Sequence, residues 1–534
     1  MNLNIKERCQ KIFQSVSGKT QQSIRAIAST TGIPKSSVDR HLRTIKRRQQ
    51  HPESYFWETE EGRQWLRLLV FGVIYCFGIK GGIGSDSLSS FFHRLRLEQQ
   101  FGCSARALQK LEVQVKDTIL AYEQGQLESC QGAQRIGICV GGDETFYGLP
   151  ILVAIELASG FIFSEAECEN RTYETWWKQV SGWFNPEQWD CRYFVSDGAK
   201  ALVKLALSGL GCPSVPDVFH LMYALSKSMG TAIARQQVQL QKQQQNLQEK
   251  LQAASSPAVI TEMEAQTTTL HNQQQTLETD HQDYQQSLHV LSQTIHPFHI
   301  NTCEPQLALD LPKRLQSPLS TLERLSQIHA PQKSQDALKR WQKQIPELSG
   351  TLHAWWQWVF QALCAQTQDP DTQHWVMTFL LPWVYWHQQT HKTRQPQLKQ
   401  SYLQASQQAQ ARLLTHALTQ SISKAEQQKW VDWAIWMCAK FQRTSSAVEG
   451  RNGYLSRLHH ANRGFTQQSL KVLTIIHNFD LKRDDGTTAA QRLFDKPFPD
   501  LFEWVVLNMG DLPRARRTLK PRMSKKPSIQ VVPA

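Results

Sequence analysis

Three acidic residues stand in settings that suit phosphodiester chemistry. Asp143 closes an apolar run, RIGICVGGD (135–143), and Asp197 closes a second, CRYFVSD (191–197). Glu449 lies in SSAVEGRNGYLS (445–456), which reads as the start of a helix. Two strand-end aspartates and a later helical glutamate, brought together, form a carboxylate cage for a pair of divalent ions. Such a pair clamps the attacking and leaving oxygens of an in-line displacement. Oxygen ligands fit Mg2+ or Mn2+ better than zinc. The expected chemistry is activation of water to cut one DNA strand, followed by in-line attack of the freed 3′-hydroxyl. It needs no covalent protein–DNA intermediate.

Each carboxylate has a plainer alternative. Glu144 follows Asp143, but side chains alternate across a strand, so only one of the two faces the ions. Asp197 precedes Gly-Ala-Lys and also suits the cap of a following helix. Glu449 alone would pass for a surface glutamate, yet Gly450, Arg451 and Asn452 beside it read as a crowded helix end. Arg451 is expected to hold a phosphate bidentately, which lysine would do less well.

The elements that must position these groups can be read from the hydrophobic period. RIGICV, then LPILVAIELASGFIFSEAE (149–167), are rich in Ile, Val and Phe and predict three antiparallel strands, with a hairpin turn at 158–160. YETWWKQVSGWF (173–184) predicts a helix, RYFVSD a fourth strand, and SVPDVF (214–219) a short fifth. This order of strands and helices matches a ribonuclease-H-like sheet. The expected fold class is therefore an α/β ribonuclease-H-like catalytic core interrupted by a large all-α insertion and preceded by an all-α helix-turn-helix region.

Residues 20–48 predict that helix-turn-helix. QQSIRAIAST (21–30) carries Ile24, Ile27 and Ala28 on one face, Gly32 suits a turn with positive φ, and Pro34 opens PKSSVDRHLRTIKRR (34–48). Val38, Leu42 and Ile45 make the second helix's buried stripe. Ser36, Ser37, Asp39, Arg40 and Arg43 are expected to face outward, toward the major groove. Lys46, Arg47 and Arg48 are better placed for phosphates.

From 222 to 440 the chain reads as helical and polar. Ile233, Leu240, Leu247 and Ala254 recur every seven residues, as do Met263, Leu270, Leu277, Tyr284 and Leu291 after a Ser-Pro break. This predicts an antiparallel helical hairpin over about 234–293. The Trp-rich stretches 353–364 and 429–441 predict a packed helical core. The expected domains are 1–50, 51–132, a core in two parts (133–222 and 441–510) around the 223–440 insertion, and a basic tail at 511–534. Within that tail, PRARRTLKPRMSKKP (513–527) holds seven Lys or Arg.

A net charge of +13 suits a polyanionic partner. The 11 cysteines form no CxxC pair, which excludes a zinc ribbon and points to reduced thiols. The longest apolar run, LLVFGVIYCFGI (68–79), is too short to span a bilayer. No membrane segment or signal peptide is expected.

At the residues already named, the chain resembles a known family. VGGDETF and VSDGAKAL resemble the two aspartate segments of Mutator-like and related insertion-sequence transposases, and PDVFH (216–220) is similar to the C/D-x-x-H signature of the Mutator and hAT families. VEGRNGYLSRLHHANRGF resembles the glutamate segment of bacterial insertion-sequence enzymes. The resemblance covers roughly 133–222 and 441–480, with the helix-turn-helix. It implies a prokaryotic DDE transposase that uses Asp143, Asp197 and Glu449, with two Mg2+ or Mn2+ ions. It also implies supporting roles for Asp217 and His220, and for Arg451 and Asn452. Its implied partners are the element's terminal inverted repeats and target DNA, bound by a homodimer or larger assembly in the cytoplasm at the nucleoid. The rivals are a metal-dependent nuclease without strand transfer and a domesticated DNA-binding regulator with an inactive site.

Overall fold

A computed structural model describes residues 5–16, 22–52, 56–57, 59–130, 135–460 and 464–515. The chain divides into two compact units, Met1–Gly125 with Pro499–Ala534, and Gln126–Phe498. Among the described residues no helix is long and apolar enough to cross a membrane.

The first unit begins with helices Ile5–Val16, Ile24–Thr31 and Lys35–Gln50. The middle helix starts at Ser23, whose hydroxyl accepts the Ala26 N–H, and stops at Gly32, which takes the left-handed conformation at φ 68°. Pro34 stands one residue before the third helix, where its carbonyl accepts the N–H groups of Ser37 and Val38. Ile27, Ile33 and Val38 are buried together with Ile12, and Ile24, Ala28, Leu42 and Ile45 pack around them. The expected stripes thus form the core, and Ile12 comes from a preceding helix that the helix-turn-helix pattern did not include. The helices Glu60–Val73, Ser85–Arg94 and Ala105–Glu128 follow, and Leu501–Asn508 returns from the far end of the chain. Tyr122 donates to the Pro499 carbonyl (2.6 Å) and Arg67 to that of Val506 (2.7 Å).

The second unit holds the only sheet among the described residues. Its strands are β1 (Ile136–Phe146), β2 (Pro150–Glu156), β3 (Ile162–Glu167), β4 (Trp189–Ser196) and β5 (Ser214–Pro216). They lie in the order β3-β2-β1-β4-β5. β1 pairs antiparallel with β2 and parallel with β4, and β4 pairs parallel with β5. β1 runs three residues past Asp143 because β2 pairs with it as far as Phe146. β5 stops at Pro216 because Asp217 caps the helix Val218–Leu225, so the last residues of SVPDVF are helical.

The expected fold class is corrected. Of the described residues 71% are helical, with one small five-stranded mixed sheet, so the fold is mostly α and not a clear α/β ribonuclease-H-like core. The physical reason is mass. The Gln-rich and Trp-rich stretches read as an insertion form the larger hydrophobic core, in which Trp341, Trp355, Trp375 and Trp386 are fully buried. The helical hairpin consists of Thr231–Ala253 and Pro257–Thr294. Its arms are antiparallel, since Gln244 bonds Gln274 (2.7 Å) while Gln237 bonds His281 (3.2 Å).

Two further helices cover the sheet. Ser446–His460 buries Val448 and Leu455 against Cys139, Ile151 and Val153. Gln467–Phe479 lies along β3, where the Asn478 amide accepts the Ile162 N–H (2.8 Å) and donates to the Ile162 carbonyl (3.0 Å). That side chain satisfies backbone groups an edge strand would otherwise leave open.

Candidate metal centre

β1 delivers Asp143 through two glycines that admit close neighbours. A Cβ on Gly141 would come 2.6 Å from Leu157 Cδ2, and one on Gly142 would come 2.5 Å from Phe194 Cζ. Glu144, one residue on, points to the other face, where it pairs with Arg171.

The helix Ser446–His460 brings Glu449 in its first turn, and its start is tied down by Asp217. Ser445 donates both its N–H (3.0 Å) and its hydroxyl to Asp217 Oδ2. Asp217 Oδ1 accepts the Phe219 N–H (2.7 Å), which caps Val218–Leu225 and fixes His220 in that helix's first turn. His220 Nδ1 then lies 3.1 Å from Asp217 Oδ2, and its Nε2 lies 3.6 Å from Glu449 Oε1.

Asp143, His220 and Glu449 each offer one ligand atom, and these atoms lie within 4.8 Å of one another. All three are partly exposed. Asn452, one turn after Glu449, donates from Nδ2 to Asp143 Oδ2 (3.3 Å). Its Oδ1 is buried without a hydrogen-bond partner, and its carbonyl accepts the Tyr147 hydroxyl (3.1 Å).

The electrostatics follow from this crowding. Burial, reinforced by the Glu449 carboxylate, pushes Asp143 up to about 7. The hydrogen bond to Asp217 raises His220 to about 9 against the opposing effect of burial, with help from the charges of Asp143 and Glu449. Burial works against a charge on Asp217, but bonds from His220 and Ser445 outweigh it and hold the carboxyl below its usual range. Two carboxylates thus share a small space with an imidazole whose far nitrogen is held by a third. Such an outer carboxylate orients a metal-binding histidine and leaves its other nitrogen free to coordinate. The orphaned Asn452 Oδ1 is a further neutral oxygen beside the group.

Asp197 does not join this cluster. It lies just past the end of β4, whereas Asp143 lies inside β1, beyond the last residue that pairs with β4. Gly141 pairs with Val195 in parallel register, and each aspartate lies two residues further on. The two therefore lie toward the same end of the sheet, Asp143 within β1 and Asp197 just beyond β4. Asp197 is exposed, and its Oδ1 accepts the Ala199 N–H (2.8 Å) across Gly198, which adopts φ +84°.

Residues 376–521 match a protein family. Its description is "Family of unknown function (DUF6399)". The match includes Glu449 and Asn452 but not Asp143, Asp197 or His220. No curated protein and no solved structure matches the chain.

The other expected residues fall in different places. Arg451 is buried and grips Glu165 through two bonds, Nε to Oε1 (2.7 Å) and a terminal nitrogen to Oε2 (2.6 Å). Burial and this two-bond grip make it a structural ion pair, where the sequence reading expected a phosphate contact. In the helix Lys35–Gln50, Ser36, Arg40, Arg43 and Lys46 are exposed, and Ser37 and Arg48 are half-buried. Arg43 pairs with Asp39 (2.6 Å) and Arg48 reaches Cys9 Sγ (3.7 Å). The Arg47 side chain and the tail from 516 onward lie outside the described residues. Sequence reasoning missed Ser445 and Tyr147. Ser445 carried a signal, a small hydroxyl residue just before a helix, but Tyr147 meets Asn452 only through folding.

Proposed function

We propose that this protein is a metal-dependent DNA strand-cleaving and strand-joining enzyme, a DDE-type transposase of an insertion sequence. The observation that carries the reading is the meeting of Asp143 and Glu449 with His220, from three separate stretches of chain. Asp143, Glu449 and the His220 nitrogen would hold a divalent cation, with Asp197 as a further carboxylate at the same end of the sheet. The imidazole shifts the preference from Mg2+ toward Mn2+. A bound cation supplies charge stabilisation at a phosphoryl oxygen and a more acidic water. Asp217 fixes the His220 ring, and Asn452 steadies Asp143. The exposed face of Lys35–Gln50 would bind duplex ends, and holding two ends at once calls for a dimer or larger assembly.

The rival is a metal-dependent nuclease without strand transfer, in which the same centre cuts and stops. Incubating the protein with labelled element ends, target DNA and Mn2+ separates the two. Joined products lost in Asp143→Asn support transposition. Cleaved but unjoined products support the nuclease, and cleavage that survives Asp143→Asn removes both.

A further inference from the structure

Phe219 and Tyr223 lie one turn apart on the helix that carries His220, and they are 50% and 52% exposed. The inner face of that helix buries Val218, Leu221 and Leu225. The two outer rings lie nearly parallel, 16° apart in plane and 6.2 Å between centres. The Phe219 ring stands edge-on to His220, centre to centre 5.8 Å, so the strip begins at the metal centre itself. It ends on a cation, since the Lys227 ammonium lies 5.6 Å from the Tyr223 ring. On the β1 side, three residues beyond Asp143, Phe146 is 55% exposed and carries the Arg171 guanidinium, already paired with Glu144, 5.5 Å from its ring.

Exposed rings interleaved with cations match single-stranded nucleic acid, whose bases stack on aromatics while its phosphates follow positive charge. A duplex offers such rings little, because its base faces are already stacked. We propose that the DNA strand entering the centre is held unpaired, with its bases stacked on Phe219 and Tyr223. This rests on the DNA-processing reading above and adds the form of the substrate. Transferable strand ends would have to be frayed or unwound at the point of cutting.

The test is binding of the full-length protein, in EDTA, to a labelled mixed-sequence single-stranded oligonucleotide, its abasic counterpart and a duplex. The parent should bind the abasic strand roughly tenfold more weakly, and Phe219→Ala/Tyr223→Ala should lose a similar or larger factor on the base-bearing strand. Phe219→Tyr/Tyr223→Phe should retain binding, and duplex affinity should change less than about twofold in every variant. Equal binding of base-bearing and abasic strands, or an alanine variant that binds like the parent, overturns the proposal. So does a variant whose only change is loss of self-association in sedimentation, which would make the rings a contact between two copies. Because EDTA prevents metal-dependent cleavage, stacking can succeed while the Asp143→Asn cleavage test fails, and the two ideas fall separately.

Discussion

Asp143 and His220 both hold their protons more tightly in the folded chain than they would alone, and this fixes how the centre responds to pH. Asp143 is raised from 3.8 to about 7 and His220 from 6.5 to about 9. In each case the folded state binds more protons than the unfolded state over the intervening range, so stability falls as pH rises. For Asp143 the loss runs from about pH 4 to 7, as burial and Glu449 oppose the new carboxylate. For His220 it runs from about 6.5 to 9, as its bond to Asp217 loses the ionic component. On the proposed reading, a divalent cation bound there would have to displace the same protons and would then relieve the repulsion between the carboxylates. The rise in Tm produced by millimolar Mn2+ is therefore expected to be small at pH 6 and larger at pH 8.5. Asp143→Asn should flatten the loss of stability between pH 4 and 7 and abolish most of the Mn2+ effect. A Mn2+ shift that is the same at both pH values, or that persists in Asp143→Asn, means the cation binds elsewhere.

At the scale of elements, the legible parts were those set by local pattern. The apolar runs before Asp143 and Asp197 gave the adjacent strands β1 and β4, and the heptads of the Gln-rich region gave the hairpin, because period depends only on near neighbours. Two features were not legible. Arg451, read as a phosphate ligand, instead meets Glu165, 286 residues away in sequence. The fold class was misjudged because short strands gave strong signals while the larger helical core gave diffuse ones. The Arg451–Glu165 pair has a measurable consequence. It joins the helix Ser446–His460 to β3, and Thr474 adds a bond to Glu165 Oε2 (3.0 Å). Arg451→Ala leaves a buried carboxylate without its partner and should cost about 3–5 kcal/mol in denaturant unfolding. Arg451→Met/Glu165→Met should recover much of that loss, since an apolar pair needs no charge compensation. If the single variant costs under about 1 kcal/mol, the pair does not anchor the helix that carries Glu449.

Over the whole molecule the net charge is +13, and the proposed duplex binding assigns part of it to the helix Lys35–Gln50. Arg40 and Arg43 are exposed on that helix, and the Arg43–Asp39 pair sits in solvent, where such pairs hold little energy. Both arginines are free to exchange water or a surface partner for phosphate. Neutralising them in the full chain, as Arg40→Ala/Arg43→Ala, should leave Tm nearly unchanged, because no buried group loses a partner. Duplex affinity should fall across all sequences. If each arginine displaces one condensed counterion, the slope of log affinity against log salt should become shallower by roughly 1.8, about 0.9 per phosphate contact. Fluorescence anisotropy across a salt series reads both quantities together. An unchanged slope with unchanged affinity would take the N-terminal helices out of DNA binding, and the positive charge would then have to act elsewhere on the molecule. A weaker affinity with an unchanged slope would mean that the arginines contact bases and not phosphates, so that the loss should fall on some sequences and spare others.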